Sequence, residues 1–167
     1  CARLFASKGW DTDARAHRLA AYEETNPKPV ALVLDRARLA ADDSNLVTAL
    51  ALLEELLSGP ARDSLTLISW KRILCERAGE YAEALAALNV VTRLQGGETR
   101  DSARIRARLH VGAGDWHQGA EILLGLARKV QAKGQADFEA AGLLAYRHGD
   151  NALALDALKS AFKLDPA

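Results

Sequence analysis

Four histidines are the side chains of this 167-residue chain best suited to acid–base chemistry or metal binding. His110 and His148 precede two predicted turns and could approach each other, whereas His17 and His117 stand apart. A zinc site in a protein needs several ligands close together. No His-Glu-x-x-His spacing and no clustered carboxylates accompany these histidines. The pattern therefore favours surface or turn histidines, and it predicts no metal site.

The cysteines, serines and glycines give no catalytic signal either. Cys1 and Cys75 match no metal-binding or redox spacing, and Cys75 is expected to be a small core residue of a helix. No serine occupies a Gly-x-Ser-x-Gly elbow. Gly112, Gly114 and Gly119 follow no predicted strand, so they do not form a phosphate-binding loop. We expect neither an enzyme nor a bound cofactor.

The composition indicates which elements carry these residues. The chain has 33 Ala and 27 Leu but only 11 Val and Ile together, and Ala and Leu favour helices whereas β-branched residues favour strands. An all-α fold is therefore expected. The 22 basic and 22 acidic residues balance, which removes the electrostatic attraction on which most nucleic-acid binders depend. No apolar stretch is long enough to span a membrane, so we expect neither nucleic acid nor a membrane span.

An internal repeat organises the predicted helices. The segments Gly79-Glu80-Tyr81, Gly114-Asp115-Trp116 and Gly149-Asp150-Asn151 begin 35 residues apart, and equal steps backwards reach Ser44 and then Gly9. Four columns of equivalent residues keep this register: Leu39, Leu74, Leu109, Leu144; Leu53, Leu88, Leu123, Leu158; Ala49, Ala84, Gly119, Ala154; and Val33, Ile68, Ala103, Phe138. A period of this length indicates stacked supersecondary units.

Each unit is predicted to contain two helices. The first helix runs up to the turn, with an apolar pattern such as Leu67, Trp70, Leu74 and Ala78. The glycine permits the left-handed conformation that ends it, and an acidic residue such as Asp115 or Asp150 caps the second helix. Breakers close the units at Pro27-Lys28-Pro29, Gly59-Pro60, Gly96-Gly97, Gly134 and Asp165-Pro166. We predict about ten helices in a single domain over residues 1–167, a piece of a longer chain, with units near 1–29, 30–64, 65–99, 100–134 and 135–167.

At these residues the chain resembles tetratricopeptide (TPR) repeats, a family of helix pairs with a period of about 34 residues. The unit with Gly149-Asp150, Ala154, Leu158, Ala161 and Pro166 carries the family pattern best, with Phe138 and Gly142 upstream. Two departures are a period of 35 and the basic residues Arg36, Lys71 and Arg106 in a column where the family packs a Leu. The first helices are accordingly expected to be rotated or more loosely packed. The resemblance implies a right-handed α-solenoid of stacked antiparallel helix pairs.

The resemblance also implies a binding surface, because in such solenoids the first helices line the concave wall. The inward positions would be Arg38, Ser69, Ile73, Arg77, Arg104, Arg108, Leu143, Tyr146 and Arg147. Their arginines predict an acidic protein segment as partner, and the competing interpretation is that they form an ordinary solvated face. Arg104, Arg106 and Arg108 alternate along one helix and cannot all face the same way. The Asn of the family's carboxylate clamp is absent from these helices, which disfavours a clamp for chaperone tails.

We therefore predict a non-catalytic protein–protein interaction scaffold. Its Ala, Arg, Leu and Gly content suggests a bacterial source, and envelope assembly or polysaccharide export is one setting in which such arrays occur. One alternative is a pentatricopeptide-like array that binds single-stranded RNA, although that family is basic and this chain is neutral. The other is a helical regulatory domain of a larger enzyme. Cys1 fits either a lipid-bearing bacterial N-terminus or a trimmed chain, so periplasm and cytoplasm both stay open.

Overall fold

A computed structural model describes residues 30–59, 61–130 and 134–164 of the chain. Within these ranges it contains eight α-helices and no strand. The helices are α1 Val30–Asp42, α2 Leu46–Leu57, α3 Leu65–Ala78, α4 Tyr81–Leu94, α5 Arg100–Gly112, α6 Trp116–Val130, α7 Gln135–Arg147 and α8 Asn151–Leu164. The predicted first unit (residues 1–29, with Cys1, the Gly9 turn, His17 and Pro27-Lys28-Pro29) lies outside the described residues, as do Pro60, Asp165 and Pro166.

The chain divides into two compact units, Cys1–Ala78 and Gly79–Ala167. The described part of the first unit holds α1, α2 and α3, and that of the second holds α4 to α8. The odd-numbered helices are the predicted first helices of each repeat, and the even-numbered ones are the predicted second helices. The all-α, helical-repeat class is confirmed. The single domain of five repeats stays a prediction.

The turns between the helices of each repeat have the predicted conformation. Left-handed backbone occurs at one equivalent position in four successive repeats, with φ of 61°, 79°, 89° and 82° at Ser44, Gly79, Gly114 and Gly149. After two of these turns an acidic side chain caps the next helix. Oδ1 of Asp115 accepts from the Gln118 amide at 3.2 Å, and Oδ1 of Asp150 accepts from the Leu153 amide at 3.0 Å. Glycine stands in three of the turns because left-handed backbone costs it little.

Small residues mark where helices of the second unit approach each other most closely. A Cβ added to Gly119 of α6 would lie 2.6 Å from Cγ2 of Val111 and 2.9 Å from the Ala107 carbonyl oxygen, both on α5. Between α7 and α8, a Cβ on Gly142 would lie 2.7 Å from Cγ of Leu158. Heavy atoms do not approach this closely without a shift, so the small-residue columns report helix packing rather than composition alone.

Aromatic residues at the start of two second helices pack against the end of the following first helix. The ring of Tyr81 occupies the space that a side chain at Gly112 would need. In the next repeat the ring of Trp116 stacks on His148 with centroids 5.0 Å apart and planes inclined by 3°. His148 is therefore a packing partner of a tryptophan at this turn. His110 instead has its Nδ1 3.8 Å from Oδ2 of Asp115.

The apolar pattern expected for the first helix of residues 65–99 is wrong at two of its four residues. Leu67 and Leu74 of α3 are buried, but Ala78 is exposed and Trp70 is only half-buried. Ile68 and Cys75 are buried instead, and Cys75 is thereby confirmed as a core residue. The helix presents the face of Leu67, Ile68, Leu74 and Cys75 to the core, and Trp70 lies beside this buried face.

The basic column that departs from the family pattern has a specific packing role. Nζ of Lys71 on α3 donates to Oε1 of Glu54 on α2 at 3.0 Å. One repeat later, Nη1 of Arg106 on α5 donates to Oδ1 of Asn89 on α4 at 2.6 Å. These basic side chains therefore join a first helix to the second helix of the preceding repeat, at the position where a leucine would pack.

Candidate partner-binding surface

A groove of about 730 Å³ lies between α1 and α3 in the first unit. About half of the residues that line the groove are apolar, namely Leu34, Ala41, Leu65, Leu67, Trp70 and Ile73. Ile73 is 42% exposed, and the Trp70 side chain is half-buried. The groove therefore offers apolar surface that a bound side chain would remove from water.

Charged and polar side chains line the remainder of this groove. They are Arg38, Asp42, Thr66, Ser69 and Arg77. Nη2 of Arg77 donates to the carbonyl oxygen of Ala41 across the groove at 3.5 Å. Nη1 of Arg38 lies 3.7 Å from Oδ1 of Asp35 on the same helix. Two guanidinium groups beside an apolar surface can recognise a carboxylate and an apolar side chain together.

Straight rows of residues four apart explain how the helices build the groove. Leu65, Ser69, Ile73 and Arg77 form such a row on α3, and Leu34, Arg38 and Asp42 form the facing row on α1. Residues at this spacing lie on one helix face. Four predicted partner-binding residues, Arg38, Ser69, Ile73 and Arg77, are brought together here. The prediction missed Leu34, Leu65 and Trp70, although the row spacing would have found the two leucines.

In the second unit, Arg104 meets an internal carboxylate. Its Nε donates to Oδ1 of Asp137 on α7 at 2.6 Å, and Nη2 of Arg100 donates to Oδ2 of the same carboxylate at 2.7 Å. Asp137 is only 2% exposed and lies in the first turn of α7, where the partial positive charge of the helix N-terminus favours an anion. Arg104 thus joins α5 to α7. Neither Asp137 nor Arg100 was among the residues predicted from the sequence.

The remaining predicted residues also lie on first helices of the second unit. Arg108 and Arg147 are exposed on α5 and α7, and Leu143 and Tyr146 of α7 are 51% and 66% exposed. The alternating arginines of α5 diverge as expected, since Arg104 contacts α7 whereas Arg106 contacts Asn89 of α4 and Glu98. Whether these residues bind a partner stays a prediction.

The residues that the structure describes contain no group of three or more His, Cys, Asp and Glu side chains arranged to hold a metal ion. His117 has its Nδ1 3.6 Å from Oε1 of Glu121 one turn away, and that pair lies on the exposed surface of α6. None of the helices described here is both long and apolar enough to cross a membrane.

Comparison with solved structures identifies the fold class. The kinesin light chain-like TPR repeats of Podosopora anserina superpose with a TM-score of 0.66 at 18% identity, over 98% of this chain and 90% of that one. MamA gives a TM-score of 0.66 at 15% identity, over 99% and 94% of the two chains. The MamA of Desulfovibrio magneticus RS-1 gives 0.67 at 13% identity, over 99% and 91%. The chain has a TPR-like helical-repeat fold.

No protein-family model matches the chain, and no curated protein matches it significantly. The TPR-like resemblance therefore depends on the residue columns and turns that recur with the repeat, together with the superposed structures. The superpositions cover 90%, 94% and 91% of those three chains.

Proposed function

We propose that this chain is a protein-interaction scaffold that acts without catalysis, and that the groove between α1 and α3 binds a segment of another protein. The observation that carries the proposal is the convergence of Arg38, Ser69, Ile73 and Arg77 on one groove with an apolar surface. Binding sites in proteins are typically concave and mostly apolar, with a few polar groups that fix orientation.

The lining defines the partner's chemistry. An apolar side chain would pack against Leu34, Trp70 and Ile73, and a nearby carboxylate would pair with Arg77 or Arg38. Asp42 at the same groove would repel a second carboxylate placed beside it. We therefore propose a segment with one or two acidic residues next to an apolar one, rather than a uniformly acidic tract. A role in bacterial envelope or polysaccharide-export assembly stays a prediction.

The test uses peptides from a random library displayed on phage and selected on the wild-type chain. Selected peptides should combine acidic and apolar residues, and their binding should change tryptophan fluorescence because Trp70 lines the groove. Trp70→Phe should retain the peptide, measured by anisotropy of a fluorescein label, and lose the intrinsic signal. A fluorescence change that survives in Trp70→Phe would place the peptide elsewhere.

Ile73→Asp and Leu143→Asp form a matched pair for the same peptides. The two residues are equivalent in the repeat and similarly exposed, but only Ile73 lines the groove. Ile73→Asp should weaken binding by roughly 2 kcal/mol or more, as expected for a central contact, and Leu143→Asp should leave it unchanged. Equal effects of the two changes would contradict the proposed location. Tight binding of a mixed-sequence RNA oligonucleotide at physiological salt would favour the pentatricopeptide-like alternative.

A further inference from the structure

The two arginines of the groove between α1 and α3 have different surroundings. Nη2 of Arg77 on α3 donates to the carbonyl oxygen of Ala41 on α1 at 3.5 Å. Arg77 and Ala41 are each the last residue but one of their helices, so this hydrogen bond joins the ends of α1 and α3. Nη1 of Arg38 lies 3.7 Å from Oδ1 of Asp35 on its own helix. Arg77 therefore connects the two walls of the groove, whereas the Asp35 contact of Arg38 stays within α1.

The end of the groove at Arg77 is unfavourable for a further carboxylate. The carbonyl groups in the last turn of a helix carry a partial negative charge, and the Ala41 carbonyl that Arg77 contacts belongs to the last turn of α1. Asp42 also lines the groove, at the position equivalent to Arg77 one repeat earlier. A ligand carboxylate beside Arg77 would therefore meet two negative groups together with the one guanidinium.

Arg38 lies in the middle of the groove, between apolar side chains. Arg38 and Ile73 both line the groove and are 35 residues apart, so the repeat places them at the same height on opposite walls. Leu34 precedes Arg38 by one turn on the same helix face, and the level of Arg77 is one turn further on, about 6 Å away. The Arg38 side chain is 55% exposed. Exposed ion pairs such as the one with Asp35 contribute little, so a ligand carboxylate can compete for this guanidinium.

We infer that Arg38 binds the carboxylate of the partner segment, and that Arg77 is a positioning residue that closes the groove by joining α1 to α3. The inference rests on the proposed function and narrows the partner's chemistry. The groove accepts one acidic side chain at Arg38, where a guanidinium can bind a carboxylate through two parallel hydrogen bonds. The neighbouring apolar side chain of the segment packs between Leu34 and Ile73. A second carboxylate directed towards Arg77 would be repelled by Asp42.

Peptides selected on the wild-type chain test the inference when the N-terminus carries the fluorescein label and the C-terminus is amidated, which leaves only side-chain carboxylates. Each peptide is compared with variants in which one acidic residue is changed to the corresponding amide. The wild type should bind the acidic peptide at least about tenfold more tightly than the amide variant, as expected for hydrogen bonds to a charged group. A wild type that binds both peptides equally well would overturn the inference.

The ratio of the two affinities in variants of the chain distinguishes the two arginines, because it measures the coupling between one side chain and the carboxylate. Arg38→Gln should reduce the preference for the acidic peptide to less than about twofold, and Arg38→Lys should keep part of it because the charge remains. Arg77→Gln should keep a preference of about tenfold even if its overall affinity falls, since a change in groove shape affects both peptides alike.

The contradicting outcomes separate this inference from the proposed function. A preference that is lost in Arg77→Gln but kept in Arg38→Gln would assign the carboxylate to Arg77, which overturns the inference and leaves the groove as the binding site. Equal losses of preference in the two variants would also overturn it. Peptides whose binding Ile73→Asp does not weaken would contradict the groove itself, and with it both proposals.

Discussion

The groove between α1 and α3 and the contact between α5 and α7 are equivalent in the repeat but differ in chemistry. Leu34 and Leu67 line the open groove of the first unit. The residues two repeats later are Arg104 and Asp137, whose side chains meet at 2.6 Å. The same position between successive first helices is therefore an apolar, open surface in one unit and an internal ion pair in the other.

A row of arginines along the first helices is therefore not by itself evidence of a binding site. The carboxylate of Asp137 is buried, and burying a charge is costly unless it is paired and hydrogen-bonded. Arg100 and Arg104 supply those hydrogen bonds, so both arginines have a structural role in the contact between α5 and α7. Arg38 and Arg77 lie beside apolar surface in the first unit, where a partner's carboxylate can reach them.

The largest expected effect comes from removing both arginines of the internal cluster. Arg100→Ala/Arg104→Ala leaves the carboxylate of Asp137 buried without its ion-pair partners, and we expect a loss of about 3–5 kcal/mol in the free energy of unfolding. Urea denaturation followed by circular dichroism measures it. A loss below about 1 kcal/mol, typical of exposed ion pairs, would mean that the cluster is not structural.

The matched variant introduces the first unit's residues into the second. Arg104→Leu/Asp137→Leu replaces the ion pair by the residue types found at Leu34 and Leu67. It should fold with stability close to the wild type, because apolar replacements of buried ion pairs are often neutral or stabilising. Strong destabilisation of this variant would show that the two positions are not equivalent in packing.

The repeat, its turns and its small-residue columns could be predicted because each depends on a local requirement. A left-handed turn favours Gly114, and close helix approach demands a small residue at Gly119; both demands recur with the period. The Asp137 cluster could not be predicted this way. An acidic residue in the first turn of a helix is also the ordinary pattern for an exposed N-terminus, and nothing local reveals that two distant arginines cover it.

The groove was predictable only in part for a related reason. Arg38, Ser69, Ile73 and Arg77 could be assigned to the groove-lining face from the repeat register. Trp70 could not be assigned to the groove in this way, because an aromatic residue that stands between Leu67 and Leu74 at helical spacing fits the apolar pattern of a core face equally well. Its half-exposed position depends on which face α3 turns to the core, and that face is set by contacts with other helices, such as the Lys71 contact with Glu54 of α2.

A smaller effect should separate the arginines of the two units by function. Arg38→Ala/Arg77→Ala should weaken binding of a library-selected peptide by about 2 kcal/mol, and the wild-type affinity itself should fall with added salt. Arg108→Ala/Arg147→Ala removes two exposed arginines of the second unit and should leave the peptide affinity unchanged. Isothermal titration calorimetry at two salt concentrations measures both. If both doubles lose affinity equally, the binding surface extends beyond the groove.

The smallest expected effect concerns the basic column. Lys71→Ala removes the contact with Glu54 on α2, a side chain pair that is partly exposed, and should cost about 0.2–1 kcal/mol of stability. Because Lys71 contacts α2 and does not line the groove, peptide affinity should not change. Thermal denaturation and the same calorimetric titration test the two halves of this prediction, and a loss of affinity would link the α2 contact to the groove.

Chemical-shift mapping by nuclear magnetic resonance tests the central claim most directly. Addition of a selected peptide to the isotopically labelled chain should shift backbone amide signals most strongly in α1 and α3, around Arg38, Ile73 and Arg77. Signals of α5 and α7, including those around the Asp137 cluster, should change little. Strongest shifts in α5 and α7, with α1 and α3 unaffected, would contradict the assignment of partner binding to the open groove.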